Sequence, residues 1–384
     1  MRTGQMLPEA PPCTDEDGLY RAPADPALVD LTMSKMLQET RDQPDALSQT
    51  LSASLARAEE LRRHFGKRRP RLIVLVARGT SDNAAQFGRY LIEITTRIPV
   101  SLAAPSILTL YQCPVDLHGV VVIGISQSGE STDTNALLED ARRQGAATIG
   151  ITNDASSAMA GIVEFLLMIE AGTEISVAAT KTYTCQLLAL YLVAYALNGA
   201  IEPEQLRKIP EWVRGVLQLE ENIEALVERY FFMTRAVTVG RGLNYANALE
   251  FGLKLMETCY VVAERFSAAD LMHGPIALVE RAFPVFVFAP AGVTWPSMSS
   301  VLDRLQELKA ETLVITDPRN TGAHDKAARV IEIPEAPGPG AAPEDLYTPI
   351  PYIVPAQLFA AHLAALKGLN PDLPRTLNKI TRTM

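Results

Sequence analysis

The stretch VVVIGISQSGEST, residues 120–132, decides how the rest of the chain is read. Its first half, Val120 to Ile125, is a run of β-branched and small apolar residues without polar alternation, as expected of a strand covered on both faces of a parallel sheet. The second half changes abruptly to hydroxyls and a glycine, and a helical period follows over Asn135 to Gln144. In an open parallel sheet, ligands sit where a strand ends in such a loop and feeds a helix.

Working outward, Leu72 to Val76 and Thr148 to Thr152 are further short β-rich runs, with a helical segment around Ala84 to Ile94 between the first two strands. The pattern then recurs. Val76-Ala77-Arg78-Gly79 is echoed 163 residues later by Val239-Gly240-Arg241-Gly242; Val120 to Ile125 is echoed by Pro284 to Ala289 and Thr148 to Thr152 by Thr312 to Thr316, each 164 residues later. The expectation is an α/β protein of two related halves, each a parallel sheet flanked by helices in a flavodoxin-like three-layer sandwich. Residues 1–29, rich in proline, form a flexible lead-in; 30–210 form the first domain and 211–384 the second with a C-terminal tail. Helical spacing over Leu31 to Arg63 breaks at Gln43-Pro44, the linker lies near Asn198 to Pro210, and a last helix runs from about Pro355 to Lys367.

With 384 residues, 48% of them hydrophobic and 21% charged, the chain can bury two cores. A formal charge of −9 argues against nucleic acid or an anionic membrane as partner, since both need a basic face. The apolar runs Ile162 to Ile169 and Pro284 to Pro290 are too short to span a bilayer, and the N-terminus has no secretory h-region. Cys13, Cys113, Cys185 and Cys259 are far apart, with no metal-ligand spacing, and read as reduced thiols. A cytoplasmic protein is expected.

The hydroxyls of Ser126, Ser128 and Ser131, with Gly129 admitting backbone N–H groups, can ring a phosphate at a helix N-terminus without a lysine. Thr80 and Ser81 leave the first strand in the same way. The alternative is a cluster of helix caps. Glu130 has the wrong charge for an anion site and is assigned to fixing the loop or meeting a sugar hydroxyl or amine. Glu250, Lys254 and Glu257 share one face of a helix whose other residues are largely apolar. They read either as an i,i+4 surface pair or as proton-moving groups on a buried helix. His273, in a loop, is equally a structural or a catalytic histidine. Lys379, near the C-terminus, is either solvated or a desolvated amine for carbonyl chemistry.

Several motifs in order, ARGTSDNA at 77–84, ISQSGESTDT at 125–134, ISVAATKTYTCQL at 175–187, GRGLNYANALEFGLKLMETCY at 240–260, ERFSAADLMHGPIALVE at 264–280 and PAQLFAAHLAALKGLNPDLPRTLNKIT at 355–381, resemble one family. It comprises the isomerase half of glucosamine-6-phosphate synthase (glutamine-fructose-6-phosphate aminotransferase) and the glucosamine-6-phosphate deaminases built from double sugar-isomerase (SIS) domains. The resemblance implies that Ser81, Ser126, Gln127, Ser128 and Ser131, with Thr80 and Val177, bind the phosphate and sugar, with Glu250 and Lys254 lying in the sugar site. By the same likeness Glu257 moves a proton between C1 and C2, His273 opens the ring from a second subunit, and Lys379 forms an imine. It further implies a homodimer acting on hexosamine phosphate or fructose-6-phosphate without a cofactor or metal. Arg2 stands where the synthase keeps its glutaminase nucleophile, so the expected reaction is deamination. A fructosamine-6-phosphate deglycase and a non-catalytic sugar-phosphate sensor are the rivals.

Overall fold

The computed structural model describes residues 34–335, 337–338, 340–377 and 379; the expected lead-in over 1–29 and the start of the first helix at Leu31 lie outside them. Ten strands form two sheets in which every neighbouring pair is parallel. The first contains β1 (Ile73–Val76), β2 (Val100–Leu102), β3 (Val121–Ile125), β4 (Ala147–Thr152) and β5 (Phe165–Met168), in the order β2-β1-β3-β4-β5. The second contains β6 (Arg235–Gly240), β7 (Val262–Ser267), β8 (Pro284–Phe288), β9 (Glu311–Thr316) and β10 (Arg329–Glu332), in the order β10-β9-β8-β6-β7. Read from its other edge, the second sheet follows the path of the first. The repeated motifs thus fall on β1 and β6, β3 and β8, β4 and β9.

The sequence pattern shows three strands in the first half, and the structure has five. The extra pair, β2 and β5, are edge strands with one neighbour each. β2 is three residues long, and β5 is mostly half-buried, so neither carries the fully buried apolar run of a central strand.

Helices of the first half are α1 (Lys35–Arg41), α2 (Gln43–Lys67), α3 (Thr80–Thr96), α4 (Ser106–Thr109), α5 (Thr132–Arg143), α6 (Ala158–Ile162) and α7 (Lys181–Ala196). Those of the second are α8 (Pro203–Leu217), α9 (Glu220–Val227), α10 (Tyr245–Cys259), α11 (Ala268–Met272), α12 (Trp295–Glu307), α13 (Thr321–Lys326) and α14 (Pro349–Leu366). Alternation along β1 shows the layering: Ile73 and Leu75 face the central core, while Val74 and Val76 pack with Leu138 of α5 on the opposite face. α7 is buried along its whole length, which explains a sequence apolar all round.

Two expectations about the chain's connections change. Residues 203–210, read as linker, form the first half of α8, with Pro203 in the opening turn where no N–H is required. The last helix begins at Pro349, not Pro355; Pro349 and Pro351 occupy its first turn, and only Pro355 gives up an interior hydrogen bond. By length and composition α14 could cross a membrane, but 89% of it is buried inside the protein, where it packs on α8, α9 and α10. Phe359 of α14 meets Phe251 of α10 and Phe286 of β8 edge-on, at ring separations of 5.8 and 5.1 Å. Removing such a ring costs about 3–5 kcal/mol.

The two halves share one central core, and α3 packs against α10 across it. Because α3 follows β1 and α10 follows β6, these are equivalent helices of the repeat, facing each other. That contact sets the site.

Candidate active site

A cavity of about 430 Å³ opens at the C-terminal ends of β1 and β3. Its lining joins the strand-end hydroxyls Thr80, Ser81, Ser126, Ser128 and Ser131 and the side chain of Gln127 to Lys254 and Glu257 of α10, with Val177 and Lys379 on a third side. Residues from the front loop, the rear helix and the tail therefore surround one space large enough for a small ligand.

The loop is rigidly built. Gly129 adopts φ +67°, and a Cβ there would lie 2.2 Å from Ser157 Oγ, so the turn requires glycine. The Gly129 carbonyl accepts from Asn135 Nδ2 at 2.9 Å and from the Met159 N–H at 3.1 Å. Glu130 turns away from the cavity and accepts from the Ala158 N–H at 2.8 Å, which is the loop-fixing role. Ser126 Oγ accepts from the Gly129 N–H at 3.1 Å, Ser128 Oγ from the Glu130 N–H at 3.3 Å, and Ser81 Oγ from Gln186 Nε2 at 3.0 Å. An oxygen that accepts internally still has its O–H to give. The front wall is thus a ring of donors at the head of α5, suited to an acceptor-only anion.

The rear wall is a charge triad. Lys254 Nζ lies 2.6 Å from Glu257 Oε2 and 3.3 Å from Glu250 Oε1. The Lys254 and Glu250 side chains are 1% and 0% exposed, while that of Glu257 is 25% exposed, so only one carboxylate of the triad faces the cavity. The surface-pair reading of this helix is thereby excluded for Glu250 and Lys254. Burial works against the Lys254 ammonium, but the two carboxylates outweigh it and raise its pKa above the ordinary value. Burial raises the Glu250 carboxyl, with Lys254 and Asn83 opposing it.

Glu250 does not line the cavity. It accepts from Asn83 Nδ2 at 2.7 Å and from Thr80 Oγ1 at 3.1 Å, both on α3. The Thr80 hydroxyl also accepts from Lys254 at 3.3 Å, so Thr80 is engaged in joining the two halves. Glu250, expected in the sugar site, thus lies behind the wall against Lys254 and not among the residues lining the cavity.

The tail closes the third side. Asp372 caps α1, accepting from the Lys35 N–H at 2.7 Å and the Met36 N–H at 2.8 Å, and the Arg375 guanidinium sits 4.1 Å from the Tyr260 ring centroid. Lys379 Nζ donates to Glu174 Oε2 at 2.8 Å and to the Ser176 carbonyl at 2.6 Å. Glu174 is fully buried; burial works against its charge, yet Lys379, Thr182 and the Thr180 N–H more than offset that and lower its pKa. Lys379 is accordingly a paired ammonium, not a solvated one.

His273 stands apart. It is exposed just beyond α11 and is not among the residues lining the cavity. Conversely, Arg78 and Leu377 line the cavity although sequence reasoning assigned them no part in a site. Arg78 enters the sequence reading only as part of the repeated Val-Ala-Arg-Gly stretch; Glu174 lies in a loop without period and gains meaning only by meeting Lys379, 205 residues later.

A family model described as SIS domain matches residues 68–196 and 233–367. The glutamine–fructose-6-phosphate aminotransferase (isomerizing) of Aquifex aeolicus is 36% identical over 348 residues, covering 90% of this chain and 57% of that protein. The chain thus spans little more than half the length of that relative. Among solved structures, the C-terminal domain of glucosamine-fructose-6-phosphate aminotransferase from Francisella tularensis is 30% identical with a TM-score of 0.79, over 89% of this chain and 98% of that one. A glucosamine-6-phosphate deaminase from Thermotoga maritima shares the fold, with a TM-score of 0.70 at 21% identity over 91% of this chain and 100% of that one.

Proposed function

The chain belongs to the SIS-domain family, and from that premise we propose that it is a sugar-phosphate isomerase that deaminates glucosamine-6-phosphate to fructose-6-phosphate and ammonia. The observation that carries this reading is the shared cavity: a donor ring fit for a phosphate and the Glu257 carboxylate line the same space.

In the proposed reaction the phosphate rests on Ser126, Gln127, Ser128, Ser131 and Ser81, and the opened chain runs toward α10. Glu257, held by Lys254, removes the proton at C2; the electron pair forms an enolamine, and Glu257 returns the proton at C1. Water then adds to the C2 imine, and ammonia leaves. The partial exposure of Glu257 supports access for that water. Lys379 needs a free amine to form an imine with the ketose, so in this reading its ammonium gives a proton to water while the Glu174 carboxylate stays ionised. His273 acts as the ring-opening group from a second copy of the chain, in keeping with its exposure here.

The test is an assay for ammonia and fructose-6-phosphate with glucosamine-6-phosphate as substrate. Equal amounts of both products are expected. Binding without turnover would make the protein a sensor, and release of a free amino acid from a fructosamine-6-phosphate in place of ammonia would make it a deglycase.

A further inference from the structure

We propose that Arg78 is the charged arm of the anion cradle, the residue by which this cavity selects a doubly charged phosphate ester over a singly charged one; the inference rests on the reading of the cavity as a sugar-phosphate site. The rest of the front wall is neutral. Hydroxyls and backbone N–H groups solvate a monoanion and a dianion alike, so they confer affinity with little charge discrimination.

Among the described residues, the other two cations lining the cavity are committed elsewhere. Lys254 is held between Glu250 and Glu257, and Lys379 is held by Glu174. Arg78 stands two residues beyond the end of β1, and its Nη2 donates to Asp133 Oδ2 at 2.6 Å. Asp133 lies in the first turn of α5, two residues beyond Ser131, which places the guanidinium at the hydroxyl end of the cavity.

The two partners differ in exposure: the Asp133 side chain is 9% exposed and that of Arg78 45%. The carboxylate is a fixed anchor, while the guanidinium faces open space. A guanidinium has five N–H donors in a planar fork, so one bond to Asp133 leaves others for phosphate oxygens. Asp82, in the first turn of α3, adds a second acid near Arg78. Those acids repel an anion, and Arg78 is the group that offsets them and offers donors to it at this end. In a chain of net charge −9, local capture of this kind is what a dianion needs.

The experiment is calorimetric titration of the full chain at pH 8 with glucitol 6-phosphate and glucitol 6-sulfate, open-chain probes that cannot isomerise. At that pH the phosphate ester carries about two negative charges and the sulfate ester one. Wild type is expected to prefer the phosphate ester. Arg78→Met should weaken that ester about 10- to 100-fold, affect the sulfate ester much less, and flatten the salt dependence of binding. Should the methionine variant not fold, Arg78→Lys gives the test, retaining the preference in reduced form because charge survives without the fork. A variant that binds both esters as wild type does, or loses both equally, overturns the inference and makes Arg78 a structural tie. A wild-type protein that binds neither ester removes the sugar-phosphate reading itself, and this inference with it.

Discussion

The two halves follow one path through their sheets and finish it differently. At the end of β3, Ile125 gives way to Ser126-Gln127-Ser128-Gly129; at the equivalent end of β8 the chain runs Ala289-Pro290-Ala291-Gly292. Proline has no N–H and alanine no hydroxyl, so the same place in the fold loses its side-chain donors and one backbone donor. The paired helices divide in the opposite sense: α3 offers hydroxyls at its N-terminus, and α10 carries Glu250, Lys254 and Glu257 on its inner face. On the proposed function, the duplicated scaffold separates holding from reacting by changing a few residues at strand ends and on one helix face.

The largest expected effect lies on the reacting side. Glu257→Gln keeps the shape of the side chain and removes its basicity, so turnover should fall by about 10²–10⁴-fold while titration with glucitol 6-phosphate stays near wild type. Equal losses in turnover and binding would dissolve the division between the halves.

Next comes the pair of glycines at the two loop positions. Gly129→Ala forces a Cβ to within 2.2 Å of Ser157 Oγ at positive φ and should weaken glucitol 6-phosphate binding by roughly tenfold or more as the donor ring shifts. Gly292→Ala, at φ +127° and 3.3 Å from the Asp345 N–H nitrogen, should lower stability by about 1 kcal/mol in a denaturant titration and leave binding unchanged. A loss of binding in the second variant would show that the rear loop holds ligand after all.

The smallest effect concerns the joint between the halves. Glu220 of α9 bonds Arg41 of α1 at 2.6 Å and His362 of α14 at 3.2 Å. Burial opposes the Glu220 charge, but His362 and Arg41 more than offset it and hold the carboxyl at about 2, against an ordinary 4.5. A carboxylate depressed on folding stabilises the protein above its unfolded pKa, and that contribution drains away as pH falls from about 4.5 to about 2. Thermal unfolding of Glu220→Gln should therefore differ most from wild type near neutral pH, with the gap closing across that window. A gap that does not change with pH would remove the ion pair from the account.

Much of this organisation is legible in the sequence because the central strands are buried on both faces, leaving β1, β3 and β4 as apolar runs that recur at fixed distance. The hydroxyl loop is legible because it interrupts such a run. Of the edge strands, β2 is too short to stand out and β5 is a four-residue apolar run that by itself does not tell a strand from a helix segment, while α14 looks shorter than it is because prolines tolerated in a first turn resemble a break. Arg78 and Glu174 escape for another reason: one is an exposed arginine until Asp133 orients it, and the other is a loop acid until the tail delivers Lys379. Long-range partners, not local pattern, assign both.

The most direct test is a crystal structure with glucitol 6-phosphate bound. The phosphate should accept from the Ser126–Ser131 loop, with C1 and C2 within about 3.5 Å of the Glu257 carboxylate. A phosphate lodged outside that loop, or a carbon chain directed away from Glu257, would contradict the single cavity that joins the two halves.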